Sequence, residues 1–426
     1  MENKKRINAS QFKKLIFCFT FIFTFFVTSV QVYSDSDGGK EELTFFLDAT
    51  STDVINQIEN QFGEENFEYI SEIGLANLTI DSERKDEFDL YNIEYTELPK
   101  IDSESLTVST NFTYDLLNNS TYDNFTWNYD KILEPLNGNN SNGGKGGSIA
   151  LIDSGVDSTH PGLQDNQIVQ INYSNSESSE DEYGHGTQVA GVIDTLSPYA
   201  KIYSYKVMDS TEGDSFDIIR AIIDASIRNV DIINISLSTE KDSTTSETLT
   251  IEAFKCAVAF AKRRGIFVVA SAGNSSKNLD EQGSEIHLPG GLDGVITVGA
   301  TIKDGTRADY SNYGSNVQIY GPVGWLGESY SVQGVIDARE MMMTYFPMTM
   351  TSIFETPDVI PKGTTLSYGT SLAAPEVSSA LATIISRYYS QRGSYNYYQV
   401  ENELFRNSQQ YNLSNSNVIH EVRIKD

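Results

Sequence analysis

From Ser148 to about Gln391, short apolar runs alternate with stretches in which apolar side chains recur at helical spacing. The runs are continuous and bounded by polar or glycine-rich turns, which is typical of strands buried on both faces. They lie at 149–152, 202–207, 232–237, 266–271 and 295–298. Helical spacing is found at 216–229, 249–264 and 371–389. This alternation predicts an α/β domain, a parallel sheet with helices on both faces.

The segment from Glu41 to Pro99 changes periodicity several times and predicts a second, smaller domain. Apolar alternation favours strands at 43–47, 67–73, 75–80 and 91–95. Helical spacing favours helices at 54–62 and 82–88. The order β-α-β-β-α-β is that of the ferredoxin-like fold. We therefore expect a small ferredoxin-like α+β domain over residues 35–99.

Residues 100–147 have a different composition, dominated by Asn, Ser, Thr and Asp and ending in N-G-N-N-S-N-G-G-K-G-G. Such a segment predicts an exposed linker that is open to proteolysis. An apolar group interrupts it and is expected to dock on the next domain; its members are Trp127, Tyr129, Ile132 and Leu133. The large domain is accordingly expected to cover residues 148–426.

The N-terminus has Lys and Arg residues followed by an apolar run from Leu15 to Val30. This run is shorter than the ~20 residues that cross a membrane, so it favours a cleaved signal peptide over residues 1–34. The protein is then expected to be secreted. An uncleaved membrane anchor is the alternative.

Charge and cysteine content exclude two classes of protein. The 59 acidic residues exceed the 30 basic ones by 29, and basic side chains are not clustered as nucleic-acid binding requires. The two cysteines, Cys18 and Cys256, permit neither a disulfide framework nor a Cys-rich zinc site. We expect Cys256 to be a buried thiol without a partner.

Four polar residues fall at predicted strand ends or helix starts. Asp153 ends the strand S-I-A-L-I-D, Asn274 follows the strand I-F-V-V-A-S, His185 stands between glycines before a helix, and Ser371 opens another. Taken singly, each has a simple structural explanation as a turn or N-cap residue. However, ligands of parallel sheets bind at the carboxyl ends of the strands, where these residues would meet. A serine nucleophile, a histidine base, an orienting aspartate and an oxyanion donor are the components of acyl-transfer catalysis.

The segments around these residues resemble the subtilisin-like serine peptidases. They are A-L-I-D-S-G-V-D, H-G-T-Q-V-A-G-V-I, N-I-S-L-S, V-V-A-S-A-G-N and G-T-S-L-A-A-P, in the order Asp, His, Ser of that family. The resemblance implies a catalytic triad of Asp153, His185 and Ser371, with Asn274 in the oxyanion hole. It also implies that residues 35–99 are a propeptide that acts as an intramolecular chaperone and inhibitor. Finally, it implies an edge strand that pairs with the substrate backbone through Ser236, Leu237 and Ser238.

Departures from the family pattern suggest a narrower role. Between Val189 and Ile202 there is no room for the calcium loop of many relatives, so no calcium is expected at that position. The catalytic site is expected to use neither a metal nor a cofactor, and calcium binding elsewhere stays open. Ser238 stands where glycine is common and is expected to narrow the first specificity pocket. The segment 320–366 is longer than usual and rich in methionine. This segment is expected either to form one wall of the substrate groove or to be an insertion that simply packs on the surface.

G-T-S-L-A-A-P together with H-L-P-G-G-L resembles the subgroup of lantibiotic leader peptidases. The resemblance implies a monomer that cleaves a precursor peptide after removing its own propeptide between about Pro99 and Trp127. The acidic net charge suits a basic substrate, with carboxylates from Asp280, Glu281 or Glu285 near the pocket. A general secreted protease and an inactive binding protein of the same fold are the alternatives.

Overall fold

A computed structural model describes residues 39–47, 52–96, 98, 100–102, 113–114, 122–137, 140, 143–245, 247–356, 359–412 and 418–425. The expected signal peptide, residues 1–34, lies outside them. None of the described helices has the length and hydropathy needed to span a bilayer. The chain divides into two compact units. In described residues, the smaller comprises 39–42 and 79–92, and the larger comprises 43–78 and 93–425.

The N-terminal elements follow the predicted order β-α-β-β-α-β. They are β1 (Lys40–Phe46), α1 (Thr52–Phe62), β2 (Phe67–Ile70), β3 (Leu75–Asp81), α2 (Lys85–Asp89) and β4 (Tyr95–Thr96). The strands form one sheet in the order β2-β3-β1-β4, with antiparallel pairing of β2 to β3 and of β1 to β4. In the smaller unit, Ser82 binds the Gly39 carbonyl and Lys85 pairs with Glu41.

The remaining strands are β5 (Lys100–Asp102), β6 (Thr113–Tyr114), β7 (Ser148–Asp153), β8 (Ile168–Asn172), β9 (Lys201–Lys206), β10 (Glu212–Asp214), β11 (Ile232–Ile235), β12 (Thr239–Asp242), β13 (Phe267–Ser271), β14 (Glu285–Leu288), β15 (Val295–Thr301), β16 (Val317–Pro322), β17 (Val335–Ile336), β18 (Met342–Tyr345), β19 (Thr364–Ser367), β20 (Gln409–Asn412) and β21 (Val418–Glu421). The helices are α3 (Trp127–Leu133), α4 (His185–Leu196), α5 (Ser215–Ile227), α6 (Thr248–Arg263), α7 (Glu328–Gln333), α8 (Thr370–Arg392) and α9 (Tyr397–Asn407).

The central sheet of the larger unit has the order β20-β21-β16-β15-β13-β11-β7-β9-β8 among the described residues. All pairs from β16 to β8 are parallel, and only β20 runs against its neighbour. The five strands predicted from apolar runs are present, which confirms the parallel α/β class. β8, β16, β20 and β21 were not predicted, because their sequences mix polar residues into short strands.

Helix α8 lies in the core because its first seventeen positions are almost all small or apolar. Every residue from Thr370 to Ser386 is buried, and the helix packs with α4 in one hydrophobic cluster. The serine that opens α8 is therefore carried on a fully packed element. Rigid support of this kind favours a precisely held functional group.

The prediction of an exposed linker over residues 100–147 is wrong in part. Helix α3 packs into the main core through Tyr129, Ile132 and Leu133, as their apolar character suggested. Near the linker's end, the Asn140 amide donates to the Leu196 carbonyl at 2.8 Å. The folded larger unit thus begins before residue 148.

The long segment 320–366 packs on the main core and also lines a cavity, while its role as a wall of the substrate groove stays a prediction. Its strands β18 and β19 form an antiparallel hairpin that packs against α4. Trp127 Nε1 donates to the Met341 carbonyl and the Tyr129 hydroxyl donates to the Met343 carbonyl, both at 3.0 Å. The methionine-rich strand is held to α3 by its backbone, and its side chains are buried.

Candidate active site

Asp153 and His185 meet at the carboxyl edge of the central sheet. Asp153 is the last residue of β7, and His185 is the first residue of α4. His185 Nδ1 lies 2.7 Å from Asp153 Oδ1, and both residues are buried. The sharp entry into α4 is made by Gly184, whose φ of 100° is in the left-handed region that favours glycine. The contact fixes the imidazole with Nδ1 toward the carboxylate and Nε2 on the far side of the ring.

A second buried carboxylate, Asp181, holds the start of α4. It accepts hydrogen bonds from the backbone N–H groups of Gly184 and Thr187 at 2.7 and 2.8 Å. The hydroxyls of Thr187 and Ser154 also donate to it, at 2.6 and 2.9 Å. Burial raises the pKa of Asp181, and these hydrogen bonds to its charged form oppose the rise. Asp181 thus supplies the cap that Gly184 lacks and fixes the helix turn carrying His185.

Ser371 lies in the first turn of α8, opposite His185. The turn is anchored by Tyr310, whose hydroxyl accepts from the Gly369 N–H at 3.1 Å and donates to the Gly324 carbonyl at 2.8 Å. Ser371 Oγ is buried and makes no hydrogen bond within the described residues.

His185 and Ser371 line one cavity of about 210 Å³. Its other walls are Gln188 and Leu372 and, from the long segment 320–366 and the strand that follows, Met341, Phe346, Thr351, Ser352, Ile353, Phe354, Thr365, Leu366, Ser367 and Tyr368. The structure therefore brings all three predicted triad residues to one site: Asp153 and His185 by direct contact, His185 and Ser371 by a shared cavity.

Asn274 is tied to the residue before the serine. Its Oδ1 accepts from the Thr370 backbone N–H at 2.9 Å and from the Thr370 hydroxyl at 3.0 Å. The same hydroxyl accepts from the Gly273 N–H at 3.2 Å. Because the Thr370 N–H and hydroxyl both donate to the same atom of the Asn274 amide, that atom must be the oxygen. The Nδ2 group, which can donate, therefore points to the opposite side. Sequence reasoning found Asn274 but missed Thr370, although Thr370 is the middle residue of the G-T-S motif.

Ser236, Leu237 and Ser238 lie after the end of β11 and do not continue it as the predicted edge strand. The strand ends at Ile235, which is paired on both sides, with Ile152 and Ala270. The three residues after it are buried. The pairing of β11 with its two neighbours stops at Ile235, so the expected pairing of residues 236–238 with the substrate backbone stays a prediction.

Ser236 instead belongs to a buried polar chain behind Ser371. Its hydroxyl donates to the Ser371 carbonyl at 2.7 Å and accepts from Asn234 Nδ2 at 3.1 Å. Asn234 Oδ1 in turn accepts from the Ser378 hydroxyl at 2.8 Å. This chain links β11 to α8 and restrains the backbone of the serine. Sequence reasoning missed Asn234 and Ser378 because their contact spans more than a hundred residues.

The segment that pairs with an extended chain is β10. Glu212–Asp214 pairs antiparallel with Lys100–Asp102, and the side chain of Ile101 is fully buried. β10 follows β9, whose carboxyl end is at the same edge of the sheet as Asp153. β5 and β10 thus form a two-stranded sheet that is separate from the central sheet among the described residues.

Among the acidic residues suggested to line a pocket for a basic side chain, Asp280 is bonded to a neighbouring loop. Its carboxylate accepts from the backbone N–H and the hydroxyl of Ser315 at 2.8 and 2.7 Å. Glu285 lies 3.9 Å from Lys277 in an exposed ion pair.

Cys256 is only partly buried, contrary to prediction, and this partial burial raises the pKa of its thiol. The described residues contain no cluster of three or more ligand side chains that could hold a metal ion.

Two buried carboxyl groups near the site have raised pKa values. Burial raises the pKa of Asp194 to about 6, although the Tyr345 hydroxyl donates to it at 2.7 Å. Burial raises the pKa of Glu376 well above its usual range, and Asn128 Nδ2 donates to Oε1 at 3.1 Å. Asp194 links α4 to β18 and Glu376 links α8 to α3, and the hydrogen bonds of neither group involve Ser371 or His185.

A family model described as the subtilase family matches residues 144–419, well over half of the chain. The chain belongs to the subtilase family. It is accordingly a serine endopeptidase of the subtilisin-like α/β fold, with Asp153 and His185 in direct contact and His185 and Ser371 on one cavity.

Among curated subtilases, the chain is 28% identical over 394 residues to subtilisin J of Geobacillus stearothermophilus, covering 88% of each. It is 27% identical over 298 residues to the epidermin leader peptide-processing serine protease EpiP of Staphylococcus epidermidis, covering 57% of this chain and 60% of the relative. Among solved structures, it is similar to a lanthipeptide protease at 31% identity and a TM-score of 0.64, covering 71% and 93% of the two chains. It also shares its fold with EpiP from Staphylococcus aureus, at 20% identity and a TM-score of 0.70, covering 90% and 96%.

Proposed function

We propose that this subtilase removes the leader from a lantibiotic-type precursor peptide after export from the cell. The observation that carries the substrate class is the 31% identity to a lanthipeptide protease over nearly all of that chain. Similarity to a curated epidermin leader protease supports the same class. The wall that segment 320–366 adds beside His185 and Ser371 narrows the site, which suits a dedicated enzyme better than a general one.

In the proposed first step, Ser371 Oγ attacks the carbonyl carbon before the scissile bond and gives its proton to His185 Nε2. Asp153, already 2.7 Å from Nδ1, stabilises the imidazolium and keeps the ring oriented. The leaving amine then takes that proton from Nε2 as the C–N bond breaks, leaving an acyl ester on Ser371. A water molecule attacks the ester by the same route, and the serine is regenerated.

The carbonyl oxygen becomes negative in each tetrahedral intermediate. Asn274 Nδ2 and the Ser371 backbone N–H are the proposed donors to it. The N-terminus of α8, which is the positive end of the dipole of a long helix, also stabilises this negative charge. Because Thr370 fixes the Asn274 amide before substrate arrives, the donor needs no reorganisation during the reaction.

The N-terminal ferredoxin-like segment is proposed to be a propeptide, with a self-cleavage site between about Pro99 and Trp127. In support, Lys100–Asp102 pairs with β10 as an extended peptide would, with Ile101 fully buried. A tethered segment in that position competes with substrate until it is cut and released. We also propose that residues 1–34 direct secretion and that the enzyme is a monomer.

The substrate class is tested by incubating the purified enzyme with a modified lanthipeptide precursor and, separately, with casein. We expect one cut at the leader junction and little digestion of casein, measured by mass spectrometry. The Ser371→Ala variant is the control and should cut neither. Many cuts in casein, with no preference for the leader junction, would identify a general protease instead.

A further inference from the structure

Glu376 lies on the second turn of α8, the helix that Ser371 opens, and has no role in the mechanism above. We propose that its carboxyl group keeps its proton in the folded enzyme and forms two hydrogen bonds with the amide of Asn128. This acid–amide pair joins α8 to α3, the helix that follows the expected cleavage region. The pair holds only while Glu376 is protonated, so it makes the docking of α3 sensitive to high pH.

Two buried polar atoms at this contact lack hydrogen bonds among the described residues. Asn128 Nδ2 donates to Glu376 Oε1 at 3.1 Å and lies 3.7 Å from Met342 Sδ. Both neighbours are acceptors, which fixes that end of the amide as the nitrogen. Asn128 Oδ1 and Glu376 Oε2 are the two atoms without partners. Both are acceptors when the carboxyl is ionised, whereas a proton on Oε2 can be donated to Oδ1 and satisfies the two atoms at once.

The surroundings of Glu376 favour the neutral carboxyl. Both Glu376 and Asn128 are 0% exposed. Oε2 is packed so closely against β16 that a Cβ on Gly321 would collide with it. An ionised carboxylate in this position would lose its hydration and gain only one hydrogen bond. Burial accordingly raises the pKa of Glu376 well above its usual range.

The charged groups that act on Glu376 are Glu421, Arg423 and Lys131. Lys131 Nζ and Arg423 Nη2 are both bound to Glu421, at 2.9 and 2.7 Å. The negative charge of Glu421 opposes a second one nearby, and its two cations are already paired. The Tyr310 hydroxyl, which also acts on Glu376, is neutral and makes its hydrogen bonds to the backbone. No cation among the described residues therefore bonds to Glu376.

The acid–amide pair lies where three elements meet. α3 carries Asn128, α8 carries Glu376, and Met342 belongs to β18 of the long segment 320–366. The residues on either side of Asn128 also donate to the backbone of this segment. Ionisation of Glu376 would leave a charge without a partner between these elements, so we expect α3 to leave the core at high pH. The consequence for activity rests on the proposed function, whereas the protonation of Glu376 does not.

Infrared difference spectroscopy detects the proton directly. Glu376→Gln keeps the shape of the side chain and both hydrogen bonds, because its amide donates to Asn128 Oδ1 and accepts from Nδ2. The inactive Ser371→Ala protein is compared at pH 7 with and without Glu376→Gln. We expect the carbonyl stretch of one neutral carboxyl group in the protein that has Glu376 and its absence from the Gln variant. The bands of a carboxylate in its place overturn the proposal.

Urea unfolding of the same two proteins measures the linked proton. The folded state holds a proton that the unfolded chain releases above pH ~4.3, so stability falls as pH rises. The unfolding constant of the protein with Glu376 should therefore rise relative to that of Glu376→Gln, by roughly 10-fold for each unit from pH 5 to 7. Glu328→Gln, at an exposed position of α7, is the matched control and should give a constant ratio. A constant ratio for Glu376→Gln as well overturns the proposal.

Alkaline inactivation tests the effect on α3. The active wild type and Glu376→Gln, both prepared from the full chain, are incubated at increasing pH and then assayed at pH 7.5 with one peptide. We expect the wild type to lose activity faster as the incubation pH rises, and Glu376→Gln to resist.

Trp127 on α3 is one of two tryptophans, so its fluorescence can be read in Trp325→Phe proteins. Its emission should shift to longer wavelength at the pH at which the wild type is inactivated, and not in the Gln variant. Equal losses and equal shifts in both proteins overturn the pH-dependent docking of α3. Absence of activity in both proteins before incubation overturns the proposed function instead, because the infrared and unfolding results do not depend on activity.

Discussion

Thr370→Val tests how the oxyanion donor is held. Valine has nearly the shape of threonine, so the change removes the hydroxyl without opening a cavity. That hydroxyl donates to Asn274 Oδ1 at 3.0 Å and accepts from the Gly273 N–H at 3.2 Å. The backbone bond from the Thr370 N–H to Oδ1, at 2.9 Å, remains. The Asn274 amide thus keeps one of its two anchors.

The structure allows the magnitude to be worked out. A single hydrogen bond has a net worth of about 0.5–1.5 kcal/mol, so the weaker restraint on Asn274 should lower kcat roughly 2-fold to 13-fold. Removing an oxyanion donor altogether, as known from subtilisin, costs roughly 10²–10³-fold in kcat, which is the expectation for Asn274→Ala. KM should change little, because the interaction develops in the transition state. The unpaired Gly273 N–H should also lower the free energy of unfolding by about 1–3 kcal/mol.

Steady-state kinetics and urea unfolding measure the two effects separately. The matched control is Thr383→Val on the same helix, since the Thr383 hydroxyl also donates once, to the Ser379 carbonyl, and accepts once, from Asn140. It should lose stability but keep kcat. In an Asn274→Ala background, Thr370→Val should have no further effect on kcat. An undiminished loss in that background would refute the idea that Thr370 acts through Asn274.

Three further predictions follow from other parts of the structure. Because burial raises the pKa of Asp194 to about 6, its ionisation opposes folding, and stability should fall as pH rises from about 4 to 6. Asp194→Asn should remove this loss, by up to ~3 kcal/mol at pH 8 and little at pH 4, in urea unfolding curves; the exposed Asp293→Asn should do neither. Gly191→Ala should push β18 from α4 and lower the melting temperature measured by circular dichroism, because the added Cβ would lie 2.7 Å from the Tyr345 backbone nitrogen. Ser371→Ala should keep its N-terminal segment while the wild type loses it, as seen by mass; an equally shortened variant would show that another protease cuts.

The positions of the candidate catalytic residues could be predicted from sequence because of how parallel sheets are built. Buried strands such as β7 leave a continuous apolar run, and the polar residue that ends the run marks the functional edge. Asp153 and His185 were placed together on this basis, and the structure brings them to 2.7 Å. Glycine at 184 marked the helix start through its left-handed conformation.

Long-range contacts without a local pattern were not predictable. Nothing around Trp127 shows that its indole reaches Met341, more than two hundred residues away. The polar chain from Ser378 to Ser236 depends on how α8 packs under β11, which periodicity does not determine. The sequence also did not show that β11 ends at Ile235, because the end of strand pairing depends on the neighbouring strands.

The central claim is that Asp153, His185 and Ser371 act as one catalytic unit. Its most direct test is mass spectrometric mapping of a fluorophosphonate adduct in the active wild-type enzyme and in His185→Ala. We expect the adduct on Ser371 of the wild type, and a rate of labelling reduced by several orders of magnitude when the imidazole is removed. An adduct on another serine, or equal labelling in both proteins, would contradict the account.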